Sequence, residues 1–281
     1  MSGPEPFRSL FDDAAVFPPG NLPLPDAVAA HREHTAAAYS GFLGPFVIAA
    51  ADLSALAAVT GESQAPWLHL AVTSPIDALP SALEAAAGIG AVRVACVEVT
   101  VPSGITAAGI VDTLRREVPV GTAVFVELPR DGRRAAMAAE LSGSGIGAKL
   151  RTGGIRQELY PGEQELAEAV STLVSHRVPF KATAGLHHAL RNTDPLTGFE
   201  QHGFLNLLTA TNAACSGADA DAVRSILALR DPARIAEVNS SVGSTTRSLF
   251  RSFGTCDILG PLRELAALNL IPAHMLVKGV K

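Results

Sequence analysis

Short apolar runs return along this 281-residue chain at a nearly even interval, and stretches with helical spacing separate them. The runs fall at about 46 to 51, 67 to 72, 92 to 99, 122 to 128, 146 to 151, 179 to 184 and 203 to 209. Helical spacing marks 76 to 87, 106 to 117, 131 to 142, 163 to 176 and 219 to 229. Successive runs begin roughly 20 to 35 residues apart, the length of a strand-helix-strand unit, and runs apolar on both faces suit a buried parallel sheet. With a weaker eighth run near 234 to 239, the pattern predicts an α/β fold, a (β/α)8 TIM-like barrel. A doubly wound open parallel sheet is the alternative. The barrel is preferred because polar groups gather at the C-terminal ends of several successive runs, whereas an open sheet concentrates them at one switch point.

Residues 1 to 45 hold Phe17-Pro18-Pro19-Gly20 and a helix-like stretch from Asp26 to about Tyr39, and read as a cap or side segment. Residues 46 to 281 read as the barrel, in a single domain completed by helices near 245 to 252 and from about Pro261 to Leu268. A chain that is 48% hydrophobic and 17% charged can bury a large core. Its formal charge of -5 and its lack of a lysine-rich run exclude a general nucleic-acid or anionic-membrane surface, since both need a concentrated basic face. No uncharged run reaches the roughly 20 residues that span a bilayer, and the start lacks an apolar secretory core, so a cytoplasmic protein is expected. Cys96, Cys215 and Cys256 are too widely spaced for a disulfide framework or a zinc pattern.

The chemistry centres on lysine. Only four lysines occur, against 18 arginines, and two of them open nearly matching motifs: Lys149-Leu-Arg-Thr-Gly-Gly and Lys181-Ala-Thr-Ala-Gly-Leu-His-His. Unlike a guanidinium, a desolvated lysine amine can lose its proton and act as a base or as a nucleophile toward a carbonyl. Alternate strand residues share a face, so Lys149 and Arg151 point one way, as do Lys181 and Thr183. If the strands are neighbours, each ammonium should lower the pKa of the other by like-charge repulsion. The ordinary alternative is that each lysine pairs with a buried carboxylate to satisfy the core.

Glu98 and Glu127 lie in otherwise apolar strands, where an unpaired carboxylate is costly, and are the candidate proton carriers. Glu127 is the better one, because its strand precedes that of Lys149. Arg151 with Thr152, Gly153 and Gly154 can present a guanidinium and loop amides to an anion, and Gly185 ends the second motif in the same way. His187, His188, His202 and Asn206 sit at one expected rim, His202 just before the seventh strand and Asn206 within it, as substrate ligands. A metal site is not assigned: adjacent histidines diverge, no metal-binding histidine spacing occurs, and the lysines repel a divalent ion. No cofactor is implied.

The lysine pair, each opening a Lys-X-(Arg/Thr)-(Thr/Ala)-Gly strand end, resembles that of class I aldolases of the deoxyribose-phosphate aldolase type. There one lysine forms a Schiff base and its neighbour lowers its pKa. The resemblance covers about 149 to 188, and the flanking residues differ, notably Arg151 and the His187-His188 pair. Together with His202-Gly-Phe-Leu-Asn206 and the Phe-Pro-Pro segment, the two motifs also resemble an uncharacterised bacterial barrel family. That family implies no activity. The expectation is a lyase or aldolase acting on a small anionic carbonyl metabolite, with Lys181 the nucleophile, Lys149 its neighbour, and a homodimer suggested by fold. The alternatives are a lysine acid/base isomerase or dehydratase, a metal-assisted hydrolase, and a non-catalytic binding barrel.

Overall fold

Along each of six wall strands the side chains alternate between two environments, and this alternation builds the molecule. Phe46 and Ile48, Leu70 and Val72, Val97 and Val99, Val124 and Val126, Ala148 and Leu150, and Phe180 and Ala182 belong to the main core between strands and helices. Val47, Ala71, Cys96 and Phe125, from the opposite faces, form a separate small cluster inside the barrel. A parallel sheet covered on one face and filled on the other demands this pattern.

The computed structural model describes residues 5–61, 67–102, 104–239 and 241–276. In chain order it contains β1 Phe11–Asp13, α1 Leu24–Ala36, β2 Leu43–Ala49, α2 Leu53–Thr60, β3 Leu68–Pro75, α3 Leu79–Ala87, β4 Val92–Thr100 and α4 Ala107–Glu117. There follow β5 Ala123–Glu127, α5 Arg134–Leu141, β6 Gly147–Arg151, α6 Glu163–Ser175, β7 Phe180–Thr183 and a short hairpin of β8 Asn192–Thr193 with β9 Glu200–Gln201. The chain ends with α7 Phe204–Cys215, α8 Ala220–Leu227, α9 Pro232–Asn239, α10 Ser244–Leu249, β10 Phe250–Thr255 and α11 Leu259–Ala267. The wall is a closed barrel in the order β1-β10-β7-β6-β5-β4-β3-β2, with all its neighbours parallel, so the open-sheet alternative does not apply. Among the described residues no helix is long and apolar enough to cross a membrane.

Six expected strands and the helices between them stand where the periodicity puts them. Two strands do not. The run at 203 to 209 is the start of α7, where every residue from Phe204 to Thr211 is buried. A segment apolar on all sides has no period to separate helix from strand. The run at 234 to 239 is α9. The two missing walls are β1, inside the segment read as a cap, and β10, which begins within the stretch read as a helix near 245 to 252 and runs on to Thr255. Residues 1 to 45 therefore hold the first βα unit of the barrel, β1 and α1, in place of a cap. β1 is only three residues long, too short for alternation to register, yet all three are buried.

Candidate active site

Glu98 on β4, Glu127 on β5, Lys149 on β6 and Lys181 on β7 occupy inward positions, as do Asp12 on β1 and Ser252 on β10. The register places Glu127 beside Lys149, Lys149 beside Lys181, and Lys181 beside Ser252. The result is one alternating chain of charge across the barrel. Lys181 Nζ lies 2.8 Å from Asp12 Oδ2 and 2.5 Å from Glu98 Oε1. Lys149 Nζ lies 3.2 Å from Glu98 Oε2 and 3.0 Å from Glu127 Oε2. Arg151 closes the row with Nε 2.9 Å from Glu127 Oε1. The order is Asp12, Lys181, Glu98, Lys149, Glu127, Arg151, burial being nearly complete at the Asp12 end and relaxing toward Arg151, whose side chain is 35% exposed.

This order overturns the expected repulsion between the lysines, because Glu98 stands between the two amines. Burial by itself pulls the Lys181 amine down, but Asp12 and Glu98 outweigh it and hold its pKa well above the ordinary value. Burial pushes the Glu98 carboxyl up, and Lys181 with Lys149 brings it down to about 2. Glu127 is lowered in the same manner by Lys149 and Arg151 against burial. Asp12 behaves differently: burial raises its pKa, Lys181 and Ser252 offset only part, and its Oδ1 lacks a hydrogen-bond partner among the described residues. The Ser252 hydroxyl donates to Asp12 Oδ2 at 2.6 Å. Burial pushes the Cys96 thiol up to about 12, so it stays protonated 3.7 Å from Lys181 Nζ.

At the C-terminal rim, Thr183 lies beside Arg151 in register, and His187 Nδ1 lies 3.6 Å from Cys256 Sγ. Burial and the neighbouring His188 lower the pKa of His187, favouring its neutral form. Phe17, from the loop that leaves β1, packs on the inner cluster of Val47, Ala71, Cys96 and Phe125. The glycines serve the backbone: Gly153 and Gly185 pack so closely that a Cβ on Gly153 would sit 2.7 Å from Gly185 Cα. Gly154 faces Leu159, where a Cβ would come within 2.4 Å of Cδ1. The Thr152 hydroxyl donates to Ala184 O at 2.6 Å, tying together the loops after β6 and β7.

Three expected rim ligands are engaged elsewhere. His188 Nδ1 contacts Glu264 on α11 at 2.6 Å. Asn206 accepts from the Arg191 amide at 2.8 Å and donates to Ile226 O and Leu229 O, pinning α7 to the end of α8. His202 is fully buried, with Nε2 2.8 Å from Pro161 O and Nδ1 3.4 Å from an Arg191 nitrogen; burial drives its pKa down to about 4. Both residues look like rim ligands only while 203 to 209 is read as a strand. Among the described residues no three His, Cys, Asp or Glu side chains are grouped to hold a metal ion.

Asp12 and Ser252 are the members that sequence reasoning missed. Two adjacent aspartates between Leu10-Phe11 and Ala14-Ala15-Val16 carry the same signal that identified Glu98, an acid in an apolar setting. Ser252 carries no such signal. A groove of about 740 Å3 beside α1 and the starts of β2 and β3 touches none of the six charges. The sequence matches no model of a known protein family and no curated protein.

Proposed function

We propose that the barrel is a lysine-dependent lyase of the class I aldolase kind, acting on a small anionic carbonyl compound. The observation that carries this reading is the row of six alternating charges inside the wall. A barrel interior is ordinarily filled by branched apolar side chains, and replacing buried ion pairs by such residues is often neutral or stabilising by about 1–4 kcal/mol. Stability alone gives no reason to keep this row, whereas carbonyl chemistry needs amines and proton carriers in a dry site.

The roles of the two lysines are exchanged relative to the expectation from sequence. Lys181, clamped between Asp12 and Glu98 with a raised pKa, is the fixed ammonium. Lys149 shares Glu127 with Arg151 at the more open end and is the nucleophile. A proton passing from Lys149 Nζ to Glu127, 3.0 Å away, leaves the total charge of the row unchanged. The freed amine adds to the substrate carbonyl carbon, and Glu127 returns the proton to the departing oxygen, so amine, carbonyl and that proton give iminium and water. The iminium then takes up the electron pair of the cleaved carbon–carbon bond and becomes an enamine, while Glu127, again a carboxylate, takes the proton of the hydroxyl on the departing fragment, which leaves as a second carbonyl compound. Arg151, beside Thr183, holds the anionic group of the substrate.

A second reading, acid/base isomerisation or dehydration without a covalent intermediate, is favoured by the raised pKa of Lys181, which keeps that amine protonated. One experiment separates the two. The protein is incubated with small aldehydes, ketones and 2-oxo acids plus cyanoborohydride, and adducts are mapped by peptide mass spectrometry. A saturable adduct at Lys149, lost in Lys149→Arg, supports the lyase. Labelling confined to Lys278, Lys281 and the N-terminus, with a Lys149→Ala variant that has lost a measured turnover, supports the acid/base reading and overturns the covalent one.

A further inference from the structure

The row of charges is approached from a side that its chemistry does not use. A cavity of about 450 Å3 opens where the barrel strands begin, opposite the Arg151 rim, with Asp12, Lys181 and Ser252 at its inner end and Arg8, Arg247 and Arg251 on its wall. Arg8 precedes β1, while Arg247 and Arg251 bracket the start of β10. The Arg247 guanidinium binds the three segments together by donating to Arg8 O at 2.8 Å, to Arg251 O at 2.7 Å and to Phe250 O.

Among the described residues no carboxylate stands within ion-pair distance of Arg8, Arg247 or Arg251; the Asp12 carboxylate is already engaged by Lys181 and Ser252 through its Oδ2. Burial above all, with repulsion from Arg251 and against the attraction of Asp12, pushes the Arg247 pKa down to about 10. Asp12 Oδ1, the other oxygen, is buried and unpartnered among the described residues. It packs against Gly44 and fills the space a side chain there would need, since a Cβ on Gly44 would stand 2.0 Å from Oδ1.

We propose that this cavity is a second binding site, taking a small phosphate- or carboxylate-bearing metabolite. The guanidiniums bind the anion, for which their planar forks are suited. The site lies at the other end of the barrel from Arg151 and does not depend on the carbonyl chemistry proposed above. It does share Asp12 with Lys181, so a bound ligand touches the far end of the same charge row.

The test is calorimetric titration of the full chain with inorganic phosphate, glycerol 3-phosphate and glycerate, with ionic strength held constant by sodium chloride. The expected result is saturable binding of at least one of these anions, weakened at least about tenfold in Arg8→Gln/Arg251→Gln. Both arginines are exposed, so the variant should fold; Arg251→Gln alone serves as a second variant. Tighter binding of glycerol 3-phosphate than glycerate identifies a phosphate site, and the reverse a carboxylate site. No binding of any of the three probes, or binding unchanged in both variants, overturns the proposal. Cyanoborohydride trapping at Lys149 is measured on the same variants, so loss of anion binding with trapping intact separates this site from the lyase reading.

Discussion

At the scale of single residues, Glu98 is the pivot, because each of its oxygens holds a different lysine. Removing Lys181 leaves Asp12 and Glu98 buried without their shared cation, and breaking a buried pair in this way costs about 3–5 kcal/mol. Lys181→Met is therefore expected to lower the urea midpoint by that equivalent, and Lys181→Met/Asp12→Asn to recover part of the loss by removing one orphaned charge. Equal midpoints for the two variants would show that Asp12 and Lys181 are not coupled. Glu98 and Glu127 were legible in the sequence because an acid in an apolar strand needs a partner, and that need is local. The partner itself was not legible: Lys181 lies 83 residues from Glu98, and Ser252 lies 240 from Asp12.

At the scale of elements, the misread strand at 203 to 209 decides what His202 and Asn206 do. In a strand they would face a rim; at the start of α7 they lock the segment around Arg191 to α7 and α8. Asn206 satisfies one buried amide and two carbonyls, so Asn206→Ala is expected to cost about 2–4 kcal/mol. Hydrogen exchange should quicken first at the end of α8, near Ile226 and Leu229. Exchange accelerated uniformly across the barrel would contradict a local pin. The helices α4 and α8 were legible from their apolar spacing, and in the structure Thr106 and Asp219 cap them by accepting from the amides of Gly109 and Ala222. α7 has no side-chain cap and no polar face, and therefore no such signal.

At the scale of the whole molecule, the buried groups set the response to acid. Glu98 is held at about 2 in the folded chain against an ordinary 4.5, so its contribution is complete above 4.5 and is lost as pH falls toward 2. His202, held neutral with a pKa of about 4 against 6.5, contributes fully above 6.5 and loses that contribution between 6.5 and 4. Asp12, whose pKa is raised, acts in the opposite sense. Melting temperature should therefore fall in two stages on acidification. His202→Gln should flatten the upper stage and leave the lower one; a variant with an unchanged upper slope would show that His202 is not its source. The sequence by itself determined the barrel class, six of its strands and the inward direction of both lysines, because periodicity and strand alternation act over a few residues. Only the tertiary structure decided that β1 and β10 close the wall and that Asp12 joins the row. It also decided that carboxylates, not a second ammonium, set the state of Lys181. Hydrogen bonds and contact ion pairs need atoms about 3 Å apart, and closure alone brings those atoms to that distance.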